Sequence, residues 1–243
     1  MKQDKVLISI PAFNEEDNIR LTIEKVKEVC KGKGYEIVVV NDGSKDRTAI
    51  RAAKSGATVI SHPFNMGYGV AIQTGYKYAL ENDFDLLVQI DADGQHDPKY
   101  ILKMLNTLRQ PGVDGVIGSR FKVETGYKAP IIRKIGMIFF NFLVNLITGK
   151  RFTDCTSGYQ AYHKKILKFL TSDLFPCDYP DADLIIMLYF SGFNLVEIPM
   201  KMQENATGKS MHGSLRKNFY YVAKMCLSIF TIMLRRITGL ATQ

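Results

Sequence analysis

The chain has 243 residues, of which 46% are hydrophobic, so it can bury one substantial core but not two large ones. Its four cysteines lie far apart and form no C-x-x-C pair, which excludes a disulfide framework and a cysteine-based zinc site. The formal net charge of +8 is uneven, because residues 120–151 and 199–243 each hold seven Lys or Arg and one Glu.

The first half of the sequence alternates short apolar runs with helix-forming segments. The runs VLISI, EIVVV, TVIS and LLVQI predict four strands, and helices are expected over about 15–30 and from about residues 46 and 67. Such alternation predicts an α/β fold with a mainly parallel central sheet. Pro98 predicts the start of a further helix, and GVIGSRF and LVEIPM predict later strands, with an apolar helix at 135–149 between them.

Two apolar runs, at 135–149 and 218–234, lie inside the two basic segments. Each is shorter than the ~20 apolar residues that span a bilayer. In the first run the apolar residues recur at helical spacing and the polar residues fall on another face. The apolar set is Ile135, Phe139, Phe142 and Leu146, and the polar set is Asn141, Asn145 and Thr148. This pattern favours amphipathic helices on an anionic membrane surface, although two core helices would give similar stripes.

Polar motifs follow each of the four early strands: PAFNEED, NDGSKD, HPFNMGYG and DADGQHD. Because the carboxyl ends of parallel strands share one edge of a sheet, these motifs are expected to line one crevice that fits a nucleotide. The crevice residues are Asn14, Glu15, Asp42, Asn65, Gly67 and those at 91–97.

Other nucleotide or metal motifs do not fit these segments. The first βα turn lacks the glycines of a dinucleotide fold, and no Walker lysine motif is present. An EF-hand that began at Asp91 would require glycine and glutamate where His96 and Leu102 stand. A polar turn that caps the helix at Pro98 would explain DADG alone, but not the other three motifs.

Taken in order, SIPAFNEEDNI, IVVVNDGSKDRT, HPFNMGYGVAIQTG and VQIDADGQHDP resemble the family 2 glycosyltransferases of GT-A fold, in the dolichyl-phosphate mannosyltransferase-like branch. GVIGSRF, DCTSGYQAY and IPMKMQENATGKS are similar to the acceptor-side segments of polyprenyl-phosphate sugar transferases. The resemblance covers most of the chain. It implies a GT-A domain over 1–214 and a basic amphipathic membrane-surface helix over 215–243.

The resemblance also implies a role for individual residues. The donor-binding positions are Pro11, Ala12, Asn14, Glu15, Asp42, Ser44, Gly67, Asp91, Ala92 and Asp93. The positions for a Mg²⁺ or Mn²⁺ ion are Asp91, Asp93 and Gln95, and those for the acceptor phosphate are Arg120, Arg133 and Lys209. The catalytic set is Asp91, Asp93, Arg120 and Asp183, with Asp181 as the alternative to Asp183 for the acidic residue of a later helix.

The expected activity is inverting, metal-dependent transfer of a sugar from a UDP- or GDP-linked donor to a polyprenyl phosphate at the membrane. One alternative is transfer to a hydroxyl of a lipid-linked saccharide, which would need a general base. A non-enzymatic basic module that binds membranes or nucleic acid is another alternative. It does not explain the paired aspartates, and the aromatic residues lie in helical stripes rather than in stacking platforms, so no nucleic-acid partner is expected. The N-terminus enters a strand without a signal peptide, which predicts a cytoplasmic protein that is peripheral on the membrane.

Overall fold

A computed structural model of the chain describes residues 4–122, 131–203 and 215–238. The strands are β1 (Val6–Ala12), β2 (Glu36–Asn41), β3 (Thr58–Ser61), β4 (Leu86–Gln89), β5 (Gly115–Ser119), β6 (Gln160–His163) and β7 (Leu195–Pro199). The helices are α1 (Ile19–Val29), α2 (Thr48–Lys54), α3 (Tyr68–Glu81), α4 (Tyr100–Leu108), α5 (Ile131–Thr148), α6 (Lys164–Leu170), α7 (Ala182–Phe190) and α8 (Leu215–Ile237).

The described strands form one sheet in the order β3-β2-β1-β4-β6-β5-β7. All neighbouring pairs are parallel except those of β6, which runs antiparallel between β4 and β5. The prediction of an α/β fold with a mainly parallel sheet is therefore confirmed. It missed β6, whose four residues are too few to show a strand periodicity, and it missed α6.

Alternate residues of the strands pack into two apolar layers, one on each face of the sheet. Val6, Ile8 and Ile10 of β1 pack in a cluster with α1 and α4, whereas Leu7 points to a cluster with α3, α6 and α7. This period of two is what a sheet with helices on both faces requires. The chain therefore has three layers, with the carboxyl ends of six strands at one edge.

Helices α5 and α8 both pack against α7 and share a third apolar cluster with it. Phe140 and Val144 of α5 and Met225 and Ile229 of α8 are buried there. The predicted division at residue 214 separates α8 from this cluster, although α8 contributes two buried side chains to it. Folding of residues 1–214 alone thus stays a prediction, and the cluster argues that it would be costly.

The outward face of α5 is apolar, and its inward face combines buried apolar side chains, among them Phe140 and Val144, with asparagines. Ile135, Phe142 and Leu146 are each more than 60% exposed, whereas Asn141 and Asn145 bond to backbone within the protein. The predicted separation of this apolar set from the polar set is therefore present, and contact of the exposed face with a membrane stays a prediction. Exposed apolar side chains continue on α8 at Leu227, Phe230, Leu234 and Ile237. In the parts of the chain that the structure describes, no helix is both long and apolar enough to cross a membrane.

Candidate active site

The first two loops at the carboxyl edge are joined by hydrogen bonds. The Asn14 backbone N–H donates to Ser44 Oγ at 2.9 Å, and the Lys45 N–H donates to Asn14 Oδ1 at 2.9 Å. Asn14 has a φ of 55°, a left-handed conformation that Asn tolerates better than most residues. The Asp42 N–H also donates to the carbonyl of Ala12 at 2.9 Å. The structure therefore brings these four predicted donor-site residues together.

Two further predicted donor residues lie next to this pair of loops. Pro11 is in β1 opposite Val40 of β2. The Glu15 N–H donates to Thr48 Oγ1 at 2.8 Å, and the Glu15 carboxylate accepts from Asn18 Nδ2 at 2.8 Å. Glu15 therefore ties the start of α1 to the start of α2 and fixes the rim of the crevice.

Asp42 is buried and accepts four hydrogen bonds from the third loop. Its Oδ1 accepts from His62 Nδ1 and the Met66 N–H, both at 2.8 Å, and its Oδ2 accepts from Asn65 Nδ2 and the Gly67 N–H, both at 2.9 Å. Two bonds on each oxygen use the capacity of a carboxylate, so Asp42 holds the loop that starts α3. Its direct contact with a nucleobase stays a prediction.

Gly67 occupies a backbone conformation that side chains other than glycine's rarely adopt. Its φ is 103°, and its N–H points to Asp42 directly before α3 begins. A glycine is therefore required here for its backbone conformation, and contact of Gly67 with a donor stays a prediction. The amino end of α3 lies beside the carboxyl end of β4, since Tyr68 contacts Asp91, and anions are favoured at such a helix end.

Asp91 and Asp93 follow β4 at the same edge. Asp91 Oδ1 accepts from the Tyr68 hydroxyl at 2.8 Å, and Asp93 Oδ1 accepts from the Gln95 N–H at 2.9 Å. Gly158, which precedes β6, lies so close that a Cβ there would be 3.0 Å from Asp91 Oδ2. The missed strand β6 thus forms one wall of the site, and Tyr68 orients the first aspartate.

The environment of Asp91 perturbs its ionisation. Burial raises the pKa of Asp91, while the Tyr68 hydroxyl and the charge of Arg120 act in the opposite direction. The carboxylate keeps 27% of its side-chain surface exposed, so it lies in a recess that opens to solvent. A cation at this opening would stabilise the ionised form.

His96 lies beneath the aspartates as a neutral imidazole. It is buried and stacked on Tyr159 with ring centroids 4.9 Å apart, and its Nδ1 accepts the Asp91 N–H at 3.2 Å. Burial lowers the pKa of His96 to about 4. An Nδ1 that accepts a backbone N–H carries no proton, so His96 supports the Asp91 backbone.

The donor set fits a hard divalent cation that is shared with a substrate. Within residues 4–122, 131–203 and 215–238, no group of three or more His, Cys, Asp or Glu side chains has metal-binding geometry. Mg²⁺ is commonly held by one or two carboxylates together with substrate phosphates, so Asp91 and Asp93 suffice on the protein side. Ala92 between them is buried and its carbonyl accepts from Thr22 Oγ1 at 3.1 Å, which fixes the turn.

Arg120 follows β5 and forms a buried ion pair. Its Nε and Nη2 each donate to an oxygen of Asp154 at 2.6 Å, and Nη2 also donates to Thr156 Oγ1 at 2.8 Å. The side chains of Arg120 and Asp154 are 4% and 1% exposed. The sequence predicted a cation that contacts the acceptor, whereas the structure holds the guanidinium behind the site surface. Contact with an acceptor stays a prediction.

The two acidic candidates at the start of α7 have different positions. Asp183 is buried, and its carboxylate accepts from Ser228 Oγ of α8 and from the Leu184 N–H. Asp181 is half-buried and accepts from the Tyr221 hydroxyl at 2.7 Å. Asp183 thus anchors α8, whereas Asp181 is the more exposed of the two, and the choice between them as the catalytic carboxylate stays a prediction.

Burial perturbs both carboxylates of this pair. It raises the pKa of Asp181 to about 7, and the negative charge of Asp183 adds to that rise while Tyr221 and Arg120 oppose it. Burial raises the pKa of Asp183 to about 6.

Two predicted acceptor residues are not described in full. Arg133 lies in the first turn of α5, but its side chain is outside the described residues, and Lys209 lies outside them altogether. Sequence reasoning missed Tyr68, Asp154 and Tyr221, whose roles depend on partners more than 20 residues away in the chain. The DCTSGYQAY motif contained a signal for Asp154, since an acidic residue in an apolar setting requires a cation.

The sequence relations of the chain identify its family. The family model described as glycosyl transferase family 2 matches residues 7–171, so the chain belongs to this family. Its sheet and helices form the GT-A fold, and the chain is a glycosyltransferase. The alternative of a non-enzymatic basic module is thereby excluded.

Relatives of stated activity resemble nearly the whole chain. A UDP-N-acetylglucosamine–dolichyl-phosphate N-acetylglucosaminyltransferase of Methanococcus voltae is 31% identical, over 83% of this chain and 86% of that protein. A polyprenol monophosphomannose synthase of Mycolicibacterium smegmatis is 30% identical, over 90% and 86%. The match covers most of this chain and most of each relative, so the likeness extends beyond the strands that precede Asp91 and Asp93.

A solved structure shares the fold at low sequence identity. Glucosyl-3-phosphoglycerate synthase from Mycobacterium tuberculosis, in a complex with Mn²⁺, uridine diphosphate and glucosyl-3-phosphoglycerate, superposes with a TM-score of 0.72. The identity is 19%, and the match covers 93% of this chain and 80% of that one. This likeness establishes the fold.

Proposed function

We propose that this enzyme transfers a sugar from a nucleoside-diphosphate sugar to a polyprenyl phosphate at a membrane surface, with inversion at the anomeric carbon. The geometric observation that carries the proposal is the exposed apolar face of α5, on which Phe139 and Phe142 face outward beside a site for anionic ligands. An enzyme whose acceptor is dissolved in a bilayer needs such a surface next to its site. The names of the two relatives support the phosphate acceptor.

The donor occupies the crevice between the loops after β1, β2 and β3, with its diphosphate towards Asp91 and Asp93. The amino end of α3 favours the phosphates, and the backbone network around Asn14 and Asp42 keeps the crevice in shape. Mg²⁺ or Mn²⁺ held by Asp91 and Asp93 would neutralise the charge that grows on the leaving diphosphate. The structural neighbour that contains Mn²⁺ and uridine diphosphate supports this use of the fold.

In the transfer step, a phosphate oxygen of the acceptor attacks the anomeric carbon opposite the leaving group. The new carbon–oxygen bond forms as the bond to the nucleoside diphosphate breaks, and the diphosphate takes the electron pair. A phosphate monoester is ionised at neutral pH, so the step needs cations rather than a proton acceptor. Arg120, together with its ion pair to Asp154, is the buried cation beside Asp91 and Asp181.

A panel of donors tests the proposal. Purified enzyme with Mn²⁺ is mixed with UDP-glucose, UDP-N-acetylglucosamine or GDP-mannose, and with vesicles that contain polyprenyl phosphate. We expect one nucleotide class to stabilise the enzyme, with a gain of about 2.7 kcal/mol in the free energy of unfolding at a hundred times its Kd and a higher melting temperature. The same class should give a sugar-phosphoryl lipid. A β-linked product from an α-linked donor would establish inversion. If none of the donors gave a sugar to the polyprenyl phosphate, the result would contradict the proposal.

A second candidate is transfer to a hydroxyl of a lipid-linked saccharide. The observation in its favour is Asp181, because a half-buried carboxylate with a pKa of about 7 is suited to accept a proton. The two candidates differ in which substitution is more harmful. For a phosphate acceptor, Arg120→Ala reduces kcat far more than Asp181→Asn does. For a hydroxyl acceptor, Asp181→Asn costs about 10²- to 10⁴-fold.

A further inference from the structure

The inward face of α5 is tied to a single turn of the chain, residues 152–156. Asn141 Nδ2 donates to the Thr153 carbonyl at 2.7 Å, and the Cys155 N–H donates to Asn141 Oδ1 at 2.9 Å. Asn145 makes the same pair of bonds with Phe152, at 3.0 and 2.7 Å. Both asparagines thus satisfy backbone groups that would otherwise be buried without partners.

The same turn also holds the side chain of Arg120 in position. Asp154, which binds the guanidinium through both oxygens, stands between the two residues that bond to Asn141. Glu197 of β7 holds the same turn from the other side, since its carboxylate accepts from the Thr153 and Asp154 N–H groups at 2.9 Å. Asn141 therefore brackets Asp154, whereas Asn145 contacts the turn two residues before it.

Arg120 connects this turn to the candidate active site. Its Nη2 donates to the carbonyl and to Oγ1 of Thr156, and Gly158, two residues further along, lies so close to Asp91 that a Cβ there would be 3.0 Å from Asp91 Oδ2. A shift of about 1 Å in a positioned catalytic group can cost about 10²-fold in rate. The position of Arg120 depends on the turn, and the position of the turn depends on α5.

We propose that Asn141 is a positioning residue for Arg120, acting through Asp154, so that α5 joins the membrane-facing surface to the acceptor side of the site. The inference rests on the proposed function for the identity of the acceptor. It assigns the two faces of one helix to two tasks: Phe139 and Phe142 face outward, and Asn141 fixes the arginine.

The test compares Asn141→Leu with Asn145→Leu, which removes the same number and kind of bonds from the same helix. We expect Asn141→Leu to lower kcat/KM for polyprenyl phosphate in vesicles about tenfold or more, with the Kd for the donor nucleotide unchanged within twofold. Asn145→Leu should lose a similar amount of stability and keep kcat/KM within about threefold. Equal kinetic losses in the two variants would overturn the proposal.

A cycle with Arg120→Lys tests whether the effect passes through the arginine. If Asn141 acts through Arg120, Asn141→Leu should cost less than twofold in the Arg120→Lys background, although it costs about tenfold alone. Fully additive losses would contradict the route through Arg120.

A measurement without substrate separates this inference from the proposed function. In ¹⁵N spectra the Nε–H of Arg120 is expected to be protected by Asp154, and Asn141→Leu should shift or broaden it while Asn145→Leu leaves it in place. No change in the Asn141→Leu spectrum would contradict the inference, whichever acceptor is used. A wild-type enzyme that ignores polyprenyl phosphate would contradict only the proposed function.

Discussion

The two halves of the carboxyl edge are stabilised by different kinds of contact. In the donor half, around β1 to β4, side chains bond mainly to backbone N–H groups, as Asp42 does to Met66 and Gly67. In the acceptor half, around β5 to α8, a buried charge pair and carboxylates in apolar surroundings hold the site, as with Arg120 and Asp154. Substitution of the more exposed carboxylates of the donor half, Asp91 and Asp93, should therefore cost activity at little expense in stability, whereas substitution of Arg120 in the acceptor half should cost both.

The largest effect is expected in the donor half. Asp93→Asn should reduce transfer about 10³-fold, because an ion contact at about 4 Å contributes about 4 kcal/mol at an effective dielectric near 20. The melting temperature should change little, since Asp93 lies at a half-buried loop position. Initial rates with Mn²⁺, with and without excess EDTA, are the measurement.

Asp4→Asn is the matched control, because Asp4 pairs with Arg109 before the amino end of β1. It should retain wild-type rates. A fully active Asp93→Asn enzyme, or wild-type turnover in excess EDTA, would contradict the metal role.

In the acceptor half, Arg120→Ala should cost about 3–5 kcal/mol of stability, because it leaves Asp154 charged and unpaired in the interior. Transfer should fall about a hundredfold or more. The double variant Arg120→Ala/Asp154→Ala removes both charges and should recover stability without recovering transfer. Chemical denaturation and acceptor kinetics are measured on all three proteins. Recovered transfer in the double variant would show that the arginine serves only stability.

The pH dependence of stability sharpens the same contrast. The pKa of Asp183 is about 6 when folded and near 3.8 when unfolded, so the folded state holds the proton more tightly. The stabilisation is present below about pH 4 and is lost as the pH rises through 6, with a magnitude of up to about 3 kcal/mol. The free energy of unfolding of Asp183→Asn, minus that of wild type, should therefore be larger above pH 7 than at pH 4.

Asp178→Asn is the control for this prediction, because Asp178 lies on the same loop but is exposed and paired with Lys224. Urea denaturation at pH 4, 6 and 8 gives the comparison. A difference between Asp183→Asn and wild type that does not change with pH would contradict the buried, protonatable Asp183.

The smallest effect is expected on the membrane face. Leu227→Ser should weaken partition to anionic vesicles about tenfold, since burial of a leucine contributes about 1.5–3 kcal/mol. Leu21→Ser on α1 is the control, because Leu21 is also exposed, at 53% against 61% for Leu227. Vesicle co-sedimentation measures both. Equal losses, or none, would contradict the assignment of this face.

Sequence patterns predicted the donor half well because its determinants are local. Each strand there is a short apolar run, and each motif follows its strand directly, so the positions of Asn14, Asp42 and Asp91 at one edge followed from parallel pairing. The separation of Ile135, Phe142 and Leu146 from Asn141 and Asn145 on α5 was equally readable from their spacing.

The acceptor half could not be predicted to the same depth. Strand β6 has four residues and enters the sheet antiparallel, which no local pattern specified. Asp181 and Asp183 differ by two positions in sequence, and only the packing of α8 decides which one is buried. The pairing of Arg120 with Asp154 depends on where the turn after α5 lies, which is a property of the folded chain.

A competition between acceptors tests the central claim most directly. Enzyme, Mn²⁺ and a labelled nucleotide sugar that serves as donor are mixed with vesicles that hold equal amounts of polyprenyl phosphate and a lipid-linked saccharide. The lipid products are then separated and identified by mass spectrometry. The account predicts that the label is found in a lipid with one phosphate and one added sugar. Label found only in an extended saccharide, with polyprenyl phosphate unchanged, would contradict it.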